Sequence, residues 1–260
     1  MFWTRVATSV VIAPVSLGAV YYGFPVFQLF VGLMAAAVFW EFVHIVGKAG
    51  FPPRAVLALW TTFAAIGLAT ANILLSFAVI FAAWLVLLRT DERDNRASLS
   101  TIQTGLIYAS IPAVCLIAVR ETAGAETVFW VLAVVWGTDI GAYFSGRSIG
   151  GPKLAPGISP NKTWSGALGG ALAGVISAVV LSTVLGIPSS LQCVLFALFL
   201  SIVSQIGDLA ESRFKRVHAV KDSGTWMPGH GGVMDRVDGL WAATPIAAII
   251  CAAFGGMASW

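Results

Sequence analysis

The sequence predicts an all-α, polytopic integral membrane protein of about nine transmembrane helices. Three observations carry that prediction. Hydrophobic residues make up 58% of the 260 residues and charged residues only 10%, with a mean hydropathy of +0.88. Soluble domains are about 25% charged. Apolar runs of roughly 16–20 residues recur from one end to the other, near the length that crosses a bilayer. The runs do not alternate polar and apolar residues, as a barrel would. Helices and closed barrels are the only structures that satisfy their backbone in lipid, so helices remain.

In chain order the spans fall at 6–22, 26–43, 55–71, 73–88, 101–119, 128–144, 165–186, 190–207 and 240–258. The first follows Arg5 and looks like a signal peptide. It lacks a small-residue cleavage site and another span follows at once, so it reads as a retained helix. Gly23–Pro25 and Asn72 are natural turns between the first two pairs. With the N-terminus inside, 14 of the 15 basic residues fall on inside segments, and only Arg120 lies outside. The positive-inside rule favours that arrangement. The chain divides into residues 1–127, which anchor and line a cavity, and a catalytic region, 128–260, with cytoplasmic loops at 145–164 and 208–239. Cys115, Cys193 and Cys251 lie in apolar runs and read as small buried hydrophobes.

The segment ESRFKRVHAVKDSGTWMPGHGGVMDRVDG, Glu211 to Gly239, departs from this pattern. It holds nine of the chain's 27 charged residues and two of its three histidines. Topology explains bases near a membrane but not interleaved acids. Ser204, Asp208, Glu211 or Ser212, and Lys215 recur at three and four, so a helix continuing out of the eighth span lines them on one face. Glycines at 229, 231 and 232 let backbone N–H groups approach an anion. Asp235 and Asp238 share a face if the last helix begins there, and with Asp208 as a third candidate they suit a hard divalent cation. Arg236 either points away or offers a bidentate donor to phosphate. Acids for a metal beside bases for phosphates are what phosphoryl or nucleotidyl transfer demands.

The other long loop adds a second half. Asp139 sits at the end of the sixth span, and an acid at membrane depth points to function. In KLAPGISPNKTWSG, Lys162 follows two prolines and precedes a glycine-rich helix, where its ammonium can meet a phosphate. Lys153 and Lys162 also serve as inside anchors. Gly166, Gly170 and Gly174 form a close-packing face for another helix. His44 and His218 read as interfacial or solvated, whereas His230, enclosed by glycines, reads as a ligand contact.

The run from Ser212 to Asp238 resembles the signature of the phosphatidate cytidylyltransferase (CDP-diacylglycerol synthase) family. The matching positions are Ser212, Lys215, Arg216, Lys221, Asp222, Gly224, Pro228, His230, Gly231, Gly232, Asp235, Arg236 and Asp238. GDLAES from Gly207, WGTDIGAY from Trp136 and the Lys153 segment agree with it. The resemblance implies transfer of a cytidylyl group from CTP to phosphatidate, releasing pyrophosphate, at the cytoplasmic face of a bacterial inner membrane. It implies magnesium, with room for a second metal ion, and a homodimer; no nucleic-acid partner is expected. It also implies Asp208, Asp235 and Asp238 as metal ligands. Lys215, Arg216, Lys221, Asp222, His230 and Arg236 would be catalytic, and Asp139, Ser159, Lys162, Ser212, Gly231 and Gly232 would contact substrate. Two positions depart from the family pattern: Ala219 replaces a usual glycine, and Ser165 a usual Glu or Gln.

Two other functions fit parts of the pattern. A CTP-dependent kinase of a prenol would need a general base for a neutral hydroxyl. A transporter would spread its charges through the mid-membrane, whereas here they collect at one face.

Overall fold

A computed structural model describes residues 2–47, 53–89, 96–187, 189–227 and 231–260. Among them are eight α-helices and one two-stranded hairpin. Five helices are long and apolar enough to cross a membrane, and three shorter apolar ones accompany them. The chain forms two compact units. The first comprises Met1–Ala118 and Val220–Arg236, the second Val119–Ala219 and Val237–Trp260. The units change over at Ala118/Val119, and Val220–Arg236 groups with the N-terminal helices.

The first unit contains α1 (Phe2–Tyr22), α2 (Val26–Gly47), α3 (Pro53–Ala69), α4 (Ile73–Arg89) and the start of α5 (Arg96–Ser148). Proline opens α3, where its missing N–H costs nothing. Asn72 caps α4 by accepting the Leu75 N–H at 3.1 Å. Helix α3 packs against both α2 and α4. Thr62 on α3 and Ser110 on α5 share a buried hydroxyl–hydroxyl hydrogen bond of 2.8 Å, a contact that holds helices together where water is excluded. Phe39 and Phe42 pack so tightly on Gly105 that a Cβ there would stand 3.0 Å from the Phe42 ring.

The second unit contains the rest of α5, β1 (Lys153–Ala155), β2 (Ser159–Thr163), α6 (Trp164–Val184), α7 (Leu191–Val217) and most of α8 (Met234–Phe254). Helix α6 has two faces at four-residue spacing. Gly166, Gly170, Gly174, Ala178 and Ser182 are buried; Leu168, Leu172, Ile176, Val180 and Val184 are exposed. The small face lies on α5: added Cβ atoms would stand 3.0 Å from Ala142 O at Gly166, 2.8 Å from Thr138 O at Gly170 and 3.1 Å from Val134 O at Gly174. The large face is left for lipid. Thr138 also bonds Ser201 of α7 at 2.7 Å. Gly207 plays the same part toward α8, where a Cβ would stand 2.9 Å from Asp238 O.

The spans foreseen at 101–119 and 128–144 fall in two helical stretches of α5, separated by a kink at Gly124 (φ 84°, ψ 170°). Two expectations are corrected. The last helix starts at Met234 rather than at 240. The loop foreseen at 145–164 contains a β-hairpin, with Lys153 opposite Thr163 and Ala155 opposite Ser159.

Candidate active site

The second unit gathers charges where the hairpin, α7 and α8 carry their polar ends. Thr163 ends β2 and caps α6, accepting the Gly166 N–H at 3.1 Å. Lys162 therefore sits just ahead of a fixed helix start. Its ammonium forms an ion pair with Asp208 on α7. As expected, α7 continues past the apolar run, to Val217. Ser212, one turn on, donates to Asp208 Oδ1 at 3.4 Å. Lys215 donates to Glu211 at 3.1 Å, and Glu211 is 4% exposed. Arg216 Nε donates to Ile158 O at 3.3 Å, tying the end of α7 to the hairpin turn. Asp238 accepts the Gly239 N–H at 2.7 Å and lies in the electrostatic field of Asp208, Asp139 and Lys215. Asp139, Lys162, Asp208, Ser212, Lys215 and Asp238 thus occupy one neighbourhood. Ser159 begins β2, half-buried.

The first unit holds the remaining predicted residues. Asp235 Oδ2 accepts the N–H groups of Ser223 at 2.8 Å and Gly232 at 2.9 Å. Gly231 has a φ of +84°, and a Cβ there would stand 2.6 Å from Asp235 Oδ2, so only glycine fits. Its carbonyl accepts the Met227 N–H at 3.0 Å. Lys221, Asp222 and Arg236 are exposed. His230 lies outside the described residues.

Of the three acids expected to share a metal, Asp208 and Asp238 lie in the second unit; Asp235, three residues before Asp238 on α8, accepts backbone N–H groups through Oδ2. Among the described residues no group of three or more His, Cys, Asp or Glu forms a ready cage. A magnesium ion needs no such cage, since it is usually held by one or two carboxylates together with substrate phosphates. The hard oxygens of Asp208 and Asp238 fit that requirement.

Two acids were missed by the sequence reading. Glu211 was seen only as an alternative to Ser212 on the stripe; it is the buried partner of Lys215. Glu41, on α2, is 2% exposed and accepts hydrogen bonds from Ser223, Val233 and Met234. It is the only acid in the first 90 residues, and a charge inside an apolar span was the signal that could have found it. The departures also have local explanations. Ala219, just beyond the end of α7, has a φ of +58° and is the only non-glycine residue with positive φ among the described residues. Ser165 donates to Gly150 O and lies 3.0 Å from the Thr163 hydroxyl, bracing the capped turn.

Comparison with known proteins agrees with this arrangement. The model of the cytidylyltransferase family matches residues 3–254. The phosphatidate cytidylyltransferase of Brucella suis biovar 1 is 40% identical over 255 residues, covering 96% of this chain and 93% of its own. That of Pseudomonas aeruginosa is 35% identical, covering 98% of both chains. That of Bacillus subtilis is 32% identical, covering 96% of this chain and 97% of its own. With a family model matching residues 3–254 and relatives covering nearly the whole chain, the chain belongs to the cytidylyltransferase family.

Proposed function

We propose that this protein transfers the cytidylyl group of CTP to phosphatidate, giving CDP-diacylglycerol and pyrophosphate. Full-length kinship with enzymes of that name supports the reading. The single structural observation that carries it is the pairing of Asp208 and Asp238 with Lys162 and Lys215 in one neighbourhood at the polar ends of membrane-length helices.

The chemistry follows from charge. A phosphatidate oxygen, already anionic, attacks the α-phosphorus of CTP in line. A new P–O bond forms as the bond between the α-phosphorus and the bridging oxygen breaks, and pyrophosphate leaves with the electron pair. No general base is needed, because the nucleophile carries no proton to remove. The task of the protein is to bring two anions together and keep them aligned. Lys162, Lys215 and Arg216 of the second unit hold phosphate oxygens; Lys221 and Arg236, exposed in the first unit, are phosphate ligands by the family resemblance. Asp208 and Asp238 would hold magnesium, which would supply further neutralisation of the polyphosphate. The exposed apolar face of α6 leaves the acyl chains in lipid while the headgroup meets these bases. The active site faces the cytoplasm of a bacterial inner membrane, with the N-terminus on the same side, as the distribution of bases favours. The homodimer remains part of the proposal and is tested by mass measurement in detergent.

The deciding experiment uses purified protein with dioleoyl phosphatidate, CTP labelled at the α-phosphate, and magnesium. Label that moves into the lipid phase, and stays in water with EDTA or with Asp208→Asn, supports the proposal. Label recovered as CDP would instead mean phosphorylation of another lipid, and unchanged CTP with any lipid would remove the enzymatic reading.

A further inference from the structure

Glu41 is a buried carboxylate with no place in the chemistry above. Its Oε1 accepts the Val233 N–H at 2.8 Å. Its Oε2 accepts the Met234 N–H at 2.9 Å and the Ser223 hydroxyl at 2.8 Å. Val233 and Met234 stand at the start of α8, where N–H groups have no acceptor inside the helix. A carboxylate there satisfies them and meets the positive end of the helix dipole. Such caps usually come from the preceding residue. This one comes from α2, 192 residues earlier than Val233.

The surrounding loop is shaped to this carboxylate. A Cβ on Gly224 would stand 2.7 Å from Glu41 Oε1, and one on Gly232 would fall on Glu41 Oε2 and the Ser223 hydroxyl. Asp235 grips the same loop from the other side through Ser223 N and Gly232 N. Lys221 and Arg236, both exposed, flank the doubly held segment. A neutral amide at position 41 would turn donors toward donors, and burial makes that mismatch costly.

We infer that Glu41 is a positioning residue: it fixes residues 220–227 and 231–236 in the conformation that presents Lys221 and Arg236 to the phosphates of the nucleotide. The inference rests on the transferase reading. Its test compares the full-length wild type with Glu41→Gln and the milder Ser223→Ala in detergent. Initial rates are measured against CTP and phosphatidate separately, and hydrogen exchange is followed across 220–240.

Glu41→Gln is expected to elute as the wild type does, to exchange faster at Val233 and Met234, and to raise KM for CTP about tenfold while leaving that for phosphatidate within about twofold. Ser223→Ala is expected to shift KM for CTP by less, and the double variant to be no worse than Glu41→Gln alone. Exchange unchanged in Glu41→Gln would overturn the inference. So would a loss of maximal rate matching the loss of folded protein with both KM values unchanged, which would make Glu41 a scaffold residue only. If the wild type itself makes no lipid-bound label, the transferase reading fails separately. Thermal-shift titration with CTP then decides: weaker binding in Glu41→Gln upholds Glu41 as the positioner of a nucleotide site, and equal binding overturns it.

Discussion

Replacing Gly170 with alanine tests whether helix contact in the second unit depends on the absence of a side chain. The new Cβ would stand 2.8 Å from Thr138 O and 3.0 Å from the Ala142 Cβ, against 3.4 Å or more for an ordinary contact. Both neighbours belong to α5, one of them backbone, so a rotamer change cannot make room. Helices α5 and α6 must part by roughly half an ångström, and overpacking of this kind costs about 1–3 kcal/mol. Alanine also favours the helix itself by up to about 1 kcal/mol, which hides part of the loss. Gly67→Ala on α3 isolates that gain, because a Cβ there meets nothing within 4 Å. The difference between the two variants is therefore the packing cost. At about 2–4 °C per kcal/mol for a chain of this size, Gly170→Ala should melt roughly 2–12 °C below Gly67→Ala when tryptophan fluorescence is followed in detergent. Equal melting, or a higher value for Gly170→Ala, would refute the close-contact argument.

Other predictions concern the loops and the chemistry. Asp208→Asn leaves Lys162 without its ionic partner and removes one of two candidate metal carboxylates. Lipid-bound label should fall by roughly 100-fold or more, with the protein still eluting as the wild type. Ala219→Gly removes a left-handed alanine, whose strain of about 1–2 kcal/mol is partly offset by the greater freedom of glycine in the unfolded chain. Its melting point should rise by a few degrees at most with activity kept. Thr163→Ala deletes the α6 cap and should cost about 1 kcal/mol, read as a lower melting point. Gly231→Ala combines a φ of +84° with a Cβ that would stand 2.6 Å from Asp235 Oδ2. It should speed hydrogen exchange at Ser223 and Gly232.

Features governed by local spacing were legible in the sequence. The four-residue repeat of glycines announced the face that α6 turns to α5, and the polar stripe after Ser204 announced that α7 runs on. The clustering of Asp208, Ser212 and Lys215 followed from the same period. Features set by distant contacts were not legible. The hairpin at 153–163 has two prolines and no alternation, and Arg216 reaches its turn from 58 residues away. Asp235 Oδ2 accepts two backbone N–H groups, a contact that spacing alone did not show because it depends on how the loop folds back. Glu41 was not picked out, because its donors lie at the other end of the chain.

That last contact bears on how the gene could be cut or shuffled. A fragment starting at Val119 would keep every residue of the family signature, since all of them lie downstream. It would still lack the acceptor for the Ser223, Val233 and Met234 donors, and the first turn of α8 would begin uncapped. The half of the chain with the most recognisable sequence is therefore not a portable module. Fusions, truncations and domain exchanges that retain the motif but replace α2 would need an acid at the position of Glu41 to fold that loop.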